Sequence, residues 1–284
     1  MSMWVDLGGI EAKSLILSRF RLDGGTMFGQ VPKSLWSKCA QANGSNRIPL
    51  VIRALLLRTG GELLLVEAGM GSDYTPDEAH RLGIELLEGD LRAALQAEGV
   101  DARDIGHLIL THLHFDHSSG VCIRDAGSTL GPALPRARVY IQRTHWEKAS
   151  APGPLESGSF RPQDLAILEH MDLRLLDGET EILPRITVRP TDGHTRGLQM
   201  VVVRGNADRL YYPSDLIPTL AHVRPAYGTA YDMWPERLAE EKMTLLAEVL
   251  AQDGLLVFVH DPRTAACRLG QGSAGLRIRS REEI

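Results

Sequence analysis

The run Thr111-His112-Leu113-His114-Phe115-Asp116-His117 places four potential metal ligands within six residues. It follows an apolar stretch, residues 108–110, which predicts a strand that ends where the run begins. The first two histidines are two positions apart, so in an extended segment both side chains point to the same side. The aspartate and the last histidine follow a bend, and we expect them to face a second metal ion.

The composition of this run favours metal binding over a structural role. Imidazole and carboxylate groups without a thiolate suit zinc, iron, manganese or cobalt. Three histidines and an aspartate in one short loop repel and desolvate one another unless a cation lies among them. We therefore interpret the run as the centre of a metal site.

Three more candidate ligands stand at the ends of other predicted strands. They are His194 after residues 186–190, Asp215 after residues 209–212, and His260 after residues 255–259. Taken singly, each is as readily a solvated loop histidine or a turn aspartate. Their shared position predicts that the fold gathers them at one rim beside the run.

The N-terminal half shows strand and turn signals. Residues 50–58 and 62–67 predict two strands of a hairpin around Thr59-Gly60-Gly61. Residues 13–20 predict a further strand, and Asp23-Gly24-Gly25 predicts a glycine-rich turn after it.

Helix signals alternate with these strands. Asp90 is a candidate cap for a helix that stops at Gly99, and Pro235 fits the first turn of the clearest helix. Residues 153–162 contain two prolines and few apolar anchors, which predicts a mobile lid. The order of elements predicts an α/β sandwich of two mixed sheets covered by helices, in one domain over residues 1–284.

The composition limits the classes of partner. The 284 residues are 43% hydrophobic and 24% charged, as in soluble globular proteins, and a net charge of −5 gives no basic footprint for nucleic acid. Three distant cysteines outside any C-x-x-C pattern argue against a disulfide framework. No apolar run approaches the roughly 20 residues that span a bilayer, and the first ten residues do not resemble a signal peptide. We expect a cytoplasmic protein that binds a small molecule, with no membrane partner.

The complete ligand set resembles that of the dinuclear hydrolases of the metallo-β-lactamase fold. Its order is H-x-H-x-D-H, then Gly-His, then Ser-Asp, then a strand-terminal histidine, over roughly residues 50–262. The resemblance implies an αββα sandwich and two divalent ions, zinc first, with iron, manganese or cobalt as alternatives. By this resemblance, the ligands of the first metal site match His112, His114 and His194, and those of the second match Asp116, His117 and His260. The carboxylate that bridges both ions matches Asp215.

By length and ligand spacing, the chain looks most like the branch of acyl-homoserine lactonases and methyl-parathion-hydrolase-like enzymes. Two positions depart from the family pattern. Glu67-Ala68-Gly69 stands where Asp-Thr-Gly is common, and Pro218 stands where the lactonases commonly carry a tyrosine. The resemblance implies a metal-dependent hydrolase that uses a metal-bridging hydroxide to cleave a small ester or lactone. The alternatives are an organophosphate triesterase and a metal-retaining binding or regulatory protein with little activity.

The resemblance also suggests roles for individual residues. Asp215 would hold the two ions together, while Asp116 is either the acid that protonates the leaving group or only a ligand. Independently of the resemblance, the positions of Phe28, His222, Tyr227 and Tyr231 in the sequence make them candidate substrate contacts. His222 is alternatively a hydrogen-bonded loop residue, and the tyrosines alternatively pack the helix start at Pro235. The stretch around Phe28 either caps the pocket or buries a contact in a homodimer.

Overall fold

The computed structural model describes residues 4–82, 88–89, 91–124, 129–273 and 275–284. Its strands are β1 (Val5–Asp6), β2 (Glu11–Asp23), β3 (Arg47–Thr59), β4 (Glu62–Val66), β5 (Glu88–Gly89), β6 (Ile105–Ile109), β7 (Cys122–Arg124), β8 (Leu130–Pro132), β9 (Arg138–Gln142), β10 (Asp172–Leu176), β11 (Thr180–Leu183), β12 (Ile186–Thr191), β13 (Leu198–Arg204), β14 (Arg209–Tyr212), β15 (Leu255–Val257), β16 (Ala266–Gly272) and β17 (Gly275–Glu282). Its helices are α1 (Gly24–Phe28), α2 (Lys33–Trp36), α3 (Pro76–Leu82), α4 (Leu91–Ala97), α5 (Phe115–Ser118), α6 (Arg143–Ser150), α7 (Pro162–Glu169) and α8 (Pro235–Ala251). Of these helices, none combines the length and the apolar character that a membrane crossing requires.

Most strands of the described chain belong to two mixed sheets. The first has the order β1-β2-β3-β4-β6-β9-β10, with β5 paired to β2, and the second runs from β11 to β17 in sequence order. In the first sheet, β4, β6, β9 and β10 are parallel, while β2, β3 and β4 are antiparallel neighbours. The predicted hairpin is confirmed as β3 and β4, and its two-residue turn uses Gly60 and Gly61 at φ 57° and 87°.

The direction of the strands in the second sheet decides where their ends lie. β12 and β14 are each antiparallel to β13, so they run the same way, and β15 is parallel to β14. The C-terminal ends of β12, β14 and β15 therefore meet at one edge of the sheet. These are the strands after which His194, Asp215 and His260 follow in the sequence.

Buried apolar side chains form three clusters, one between the two sheets and one on the outer face of each sheet. This arrangement gives the sandwich its αββα order. Leu57 and Leu64 of the first sheet pack with Val201 and Leu255 of the second in one cluster between the sheets. The outer face of the first sheet packs against α1, α2, α4, α6 and α7. The outer face of the second packs against α8. The predicted fold class, two mixed sheets flanked by helices, is confirmed.

Two local predictions were wrong. Asp23-Gly24-Gly25 is not a turn, because the Asp23 carboxylate accepts a hydrogen bond from the Thr26 amide and caps α1. Pro162 does not end a loop but begins α7, where its missing amide proton costs nothing. The predicted helix at Pro235 is confirmed as α8, while the cap expected at Asp90 lies outside the described residues.

Candidate metal centre

The first sheet delivers four of the candidate ligands from one strand end. His112 and His114 lie in the extended segment after β6, where their spacing turns both side chains the same way. His114 then occupies the N-cap position of α5, whose single turn carries Asp116 and His117. The predicted bend is thus a short helix.

The second sheet supplies the other three. His194 follows β12, Asp215 lies in a 3₁₀ turn after β14, and His260 comes three residues beyond the end of β15. All seven candidate ligands therefore follow strand ends, four at the first sheet and three at the second. The predicted rim exists. The structure brings all seven candidates together.

Asp215 stands between two groups of side chains. His112, His114 and His194 can place one ligand atom each within 4.8 Å of one another, and so can Asp116, His117 and His260. The Oδ2 atom of Asp215 lies 3.4 Å from His194 Nε2 and 3.9 Å from His112 Nε2. Its Oδ1 atom lies 3.0 Å from His260 Nε2 and 3.5 Å from His117 Nε2. One carboxylate oxygen therefore faces each group.

The unpaired atoms of this cluster fit metal ions. Within the described residues, the Nε2 atoms of His112, His114 and His117 and the Oδ1 atom of Asp215 are buried without a hydrogen-bond partner. Buried polar atoms are rarely left so, because each costs its full desolvation energy. Nitrogen and carboxylate donors facing inward from a buried shell suit divalent ions such as zinc.

The ring nitrogens that face away from the centre bind to the protein. His194 Nδ1 lies 2.7 Å from Asp232 Oδ1, and His260 Nδ1 lies 2.9 Å from the carbonyl oxygen of Val51. Such partners fix the ring orientation and leave the other nitrogen free for a metal. Asp232 gives no signal in the sequence, since it lies in a loop 38 residues from His194.

Glu67 holds the opposite side of the cluster. Its Oε1 atom accepts hydrogen bonds from the hydroxyl groups of Thr111 at 2.6 Å and Ser214 at 3.0 Å, and lies 3.1 Å from His117 Nδ1. Glu67 and Ser214 both have positive φ, 71° and 51°, conformations that residues with side chains adopt mainly where surrounding contacts impose them. Glu67 also lies near His112. Because the hydroxyl groups of Thr111 and Ser214 already donate to its carboxylate, Glu67 orients His117 and is not a candidate ligand.

Protonation in the cluster follows burial and charge. Burial, with neighbouring histidines, lowers the pKa of His112 and His114 well below the usual range, which leaves them neutral. Burial acts to lower the pKa of His117 as well, but three carboxylates, first Asp116, raise it well above that range. Burial acts to raise the pKa of Asp215, and His260 and His117 instead lower it well below its usual range. Neutral imidazole and ionised carboxylate are the forms that bind metals, so His117 would have to release its proton when an ion binds.

A sixth histidine of this region, His145 of α6, supports the ligand loop without belonging to it. Its Nε2 atom accepts a hydrogen bond from the Leu113 amide at 2.8 Å, and its Nδ1 atom donates to the Arg196 carbonyl at 2.8 Å. His145 thereby ties the segment between His112 and His114 to the turn that carries His194. The sequence interpretation missed it.

Two of the candidate substrate contacts lie in the core. Phe28 is buried and stacks on Trp36 and His222, with ring centroids 5.4 Å and 5.1 Å away. His222 is buried as well, and its ring nitrogens bind the Thr219 hydroxyl and the Met27 carbonyl. Packing and hydrogen bonding account for both residues, and both also line a cavity beside α8. Their role as substrate contacts remains a prediction.

The two tyrosines differ from one another. Tyr227 is half-buried, edge-on to Phe28, with its hydroxyl 3.1 Å from Arg224 Nη1. Tyr231 precedes Asp232 and is 40% exposed. Burial raises the pKa of Tyr231 to about 12, with smaller contributions from the carboxylates of Asp116, Asp23 and Asp215.

The predicted lid is anchored in its second half. The buried Glu156 accepts a hydrogen bond from the Thr195 hydroxyl at 2.6 Å and pairs with Lys148 at 2.5 Å. Phe160 is buried beside His114, with ring centroids 5.2 Å apart. Glu156 and Phe160 thus anchor this part of the segment to the fold, while the mobile lid itself remains a prediction.

Comparison with known proteins gives consistent relatives. A family model described as the Metallo-beta-lactamase superfamily matches residues 47–259. An N-acyl homoserine lactonase from Bacillus thuringiensis is 25% identical over 164 residues, 54% of this chain but only 58% of that protein. The crystal structure of a probable metal-dependent hydrolase from Staphylococcus aureus has a TM-score of 0.90 at 27% identity, with 99% of each chain covered. AidC, a dizinc quorum-quenching lactonase in complex with a product, shares the fold, with a TM-score of 0.79 at 19% identity over 100% of this chain and 98% of that one.

Proposed function

The chain belongs to the metallo-beta-lactamase superfamily, and we propose that it is a metal-dependent hydrolase that cleaves a small, uncharged ester or lactone. The observation that carries this proposal is the position of Asp215, with one carboxylate oxygen toward each histidine group. His112, His114 and His194 would hold one zinc ion, and Asp116, His117 and His260 a second, with Asp215 shared between them. Ions held there would activate water near neutral pH and polarise the bond to be cleaved.

Asp116 is our candidate for the proton transfer. Its Oδ2 atom lies 3.5 Å from His117 Nε2 and 3.6 Å from His260 Nε2. Its side chain is less enclosed than those two histidines, so it is accessible to a substrate. We propose that its carboxylate takes the proton that the attacking water loses and passes it to the leaving alkoxide oxygen, a role that a positioned carboxylate can perform.

Tyr231 is our candidate for the substrate contact. Its phenol is partly exposed, and its raised pKa of about 12 keeps it protonated at neutral pH. It is therefore a hydrogen-bond donor for a carbonyl or ring oxygen of the substrate. Loss of one such bond costs roughly 1 kcal/mol, so Tyr231→Phe should lower kcat/KM by about fivefold while the metal content stays unchanged.

A substrate panel on zinc-loaded protein tests the proposal. N-hexanoyl homoserine lactone, p-nitrophenyl butyrate and a neutral phosphotriester represent the three bond classes. We expect turnover of the lactone or the ester, and its loss in Asp215→Asn. Asp177→Asn, an exposed aspartate paired with Arg143, is the control and should keep full activity.

Two results would contradict the proposal. Full metal occupancy without turnover of either carbonyl substrate would favour a binding protein. Turnover of the phosphotriester alone would favour the triesterase alternative.

A further inference from the structure

A large cavity lies beside helix α8, outside the candidate metal centre. Its volume is about 1120 Å³, and the residues that line it include none of the seven candidate ligands. Helix α8 and strand β17 form two of its walls. The turn from Thr219 to Pro225 and the segment from Lys38 to Gln41 form others. Residues 27–28, 48–50 and 261–264 complete the lining, which includes Phe28 and His222. This volume slightly exceeds the range of small-molecule sites, which is typically 300–1,000 Å³.

The lining separates apolar from charged groups. Buried Leu50, Val223 and Leu246 form part of an apolar floor, which part-buried Leu250 and Ile278 extend. Among the described lining residues, the basic ones are Lys38, Arg224, Arg263, Arg277 and Arg281. The floor thus offers apolar surface while the rim presents positive charge.

Little negative charge opposes this rim. Asp261 is the acidic residue among the described lining residues, and it is buried. Its carboxylate accepts hydrogen bonds from the backbone amides of Leu220, Arg263 and Thr264, at 3.1, 2.9 and 2.8 Å. Its oxygens therefore accept hydrogen bonds from the backbone of the cavity wall, and they do not pair with the basic side chains described at the rim. Positive charge concentrated at a concave surface attracts anions.

We propose that this cavity binds an amphiphilic anion, a molecule with an unbranched alkyl chain and one anionic head group. The chain would lie on the apolar floor beside α8, and the head group would meet the arginine side chains of β17 at the rim. A second copy of this chain fits less well. A two-fold interface would place the same patch on both sides, and so would bring the two basic rims against each other.

Calorimetric titration of the metal-loaded protein with dodecanoate, below its micelle concentration, tests the proposal. Dodecyltrimethylammonium matches the chain with the opposite charge, and butyrate keeps the charge without the chain. We expect about one dodecanoate per chain, bound at least tenfold more tightly than either. Monododecyl phosphate, titrated in parallel, distinguishes a phosphate head group from a carboxylate, and tight binding of either supports the proposal.

Variants locate the binding. Ala247 of α8 is exposed and lines the cavity, so Ala247→Trp should fill it and weaken dodecanoate binding at least tenfold. Ala251→Trp, on the same helix but outside the lining, is its control. Arg281→Gln should weaken binding about fivefold or more. Arg279→Gln is the matched control, because the Arg279 side chain pairs with Asp253 outside the cavity.

Three outcomes would overturn the proposal, whether or not the protein is a hydrolase. One is the absence of dodecanoate binding to folded protein, judged by an unchanged circular dichroism spectrum. Another is binding that Ala247→Trp leaves unchanged and His117→Ala removes, which would place the carboxylate at the metal centre. The third is a dimer that Ala247→Trp dissociates in sedimentation, together with no dodecanoate binding, which would make this face an interface between copies.

Discussion

Each histidine of the second-sheet rim uses its two ring nitrogens for different partners. His194 gives Nδ1 to Asp232, and His260 gives Nδ1 to the Val51 carbonyl. In both cases, Nε2 faces Asp215. The outward hydrogen bonds therefore help to fix the orientation of both rings.

The two-group geometry predicts about two metal ions per chain, since seven donors exceed the four that one tetrahedral zinc takes. Asp215→Ala should be the most damaging carboxylate change, because it removes a ligand from both groups. His117→Ala should lose mainly one ion. Elemental analysis after reconstitution with excess zinc, paired with turnover, measures both. Reproducible binding of one ion by the unaltered protein, or normal turnover in Asp215→Ala, would contradict the bridging assignment.

The Asp232 carboxylate should control the affinity of the first ion. Asp232→Asn keeps an acceptor for His194 Nδ1 but removes the charge that makes the ring a stronger donor. Changes of this kind typically cost about 10–100-fold in metal affinity, so we expect a loss in that range for one of the two ions. Competition with a chromophoric chelator measures it. Asp177→Asn should bind both ions normally, and equal affinities in the two variants would leave Asp232 with a structural role only.

The sequence predicted residues that share a local pattern. It named Glu67 only as a departure from the family pattern, and it missed Asp232. His194, Asp215 and His260 were predictable because each follows its own apolar strand. Asp232 and Glu67 contact histidines 38 and 50 residues away in the sequence. No local pattern encodes such pairs, since only the packing of two sheets brings them together.

At the scale of elements, the sequence predicted the structures that depend on neighbouring residues alone. The turn of Gly60 and Gly61 was predictable because a two-residue hairpin needs positive φ at both positions. An aspartate such as Asp23 is common both in turns and at helix N-caps, so the local sequence does not distinguish the two structures. Tertiary contacts decide between them. A Cβ atom on Gly24 would lie 2.5 Å from the Trp36 ring, so this glycine serves close packing.

The turn Ala68–Gly69 fixes the helix that carries Asp116 and His117. The amides of both turn residues donate to the His117 carbonyl, at 2.9 and 3.0 Å, and the Gly120 amide donates to Gly69 at 2.8 Å. A Cβ atom on Gly120 would lie 1.9 Å from the Ala68 carbonyl oxygen. The turn and α5 would then have to separate.

Gly120→Ala should therefore destabilise the protein by about 1–3 kcal/mol, as overpacking does, and reduce the zinc content. Gly131→Ala is the matched control, because a Cβ atom there meets nothing within 4 Å. Urea unfolding and elemental analysis of both variants give the comparison. Equal stability of the two variants would show that the contact between the turn and α5 relaxes freely.

At the scale of the whole molecule, the sequence predicted the layers but not what the layers enclose. Alternating strands and helices suffice to indicate two sheets covered by helices. The amphipathic cavity is lined by seven separate segments, from Met27 to Arg281, so no single stretch of sequence shows it. The single domain over residues 1–284 and the homodimer remain predictions.

Two buried histidines couple the stability of the whole fold to pH. Burial lowers the pKa of His145 and of His222 to about 4, whereas a histidine in an unfolded chain titrates near pH 6.5. Between these values, the unfolded chain binds more protons than the folded one, so the free energy of unfolding falls as the pH falls. Above pH 6.5, both are neutral in either state and their contribution is complete.

From pH 6.5 to 5, this linkage amounts to about 2 kcal/mol for each histidine. His222→Gln removes one of the two titrating groups. Whatever its stability at pH 7, it should therefore lose about 2 kcal/mol less than the unaltered protein when the pH is lowered to 5. Urea unfolding at both pH values measures this, and the difference between the two proteins cancels effects of bound metal that they share. His170→Gln, at an exposed histidine, should lose as much as the unaltered protein. If His222→Gln also did so, His222 would not be the neutral, buried base that its contacts with Thr219 and Met27 require.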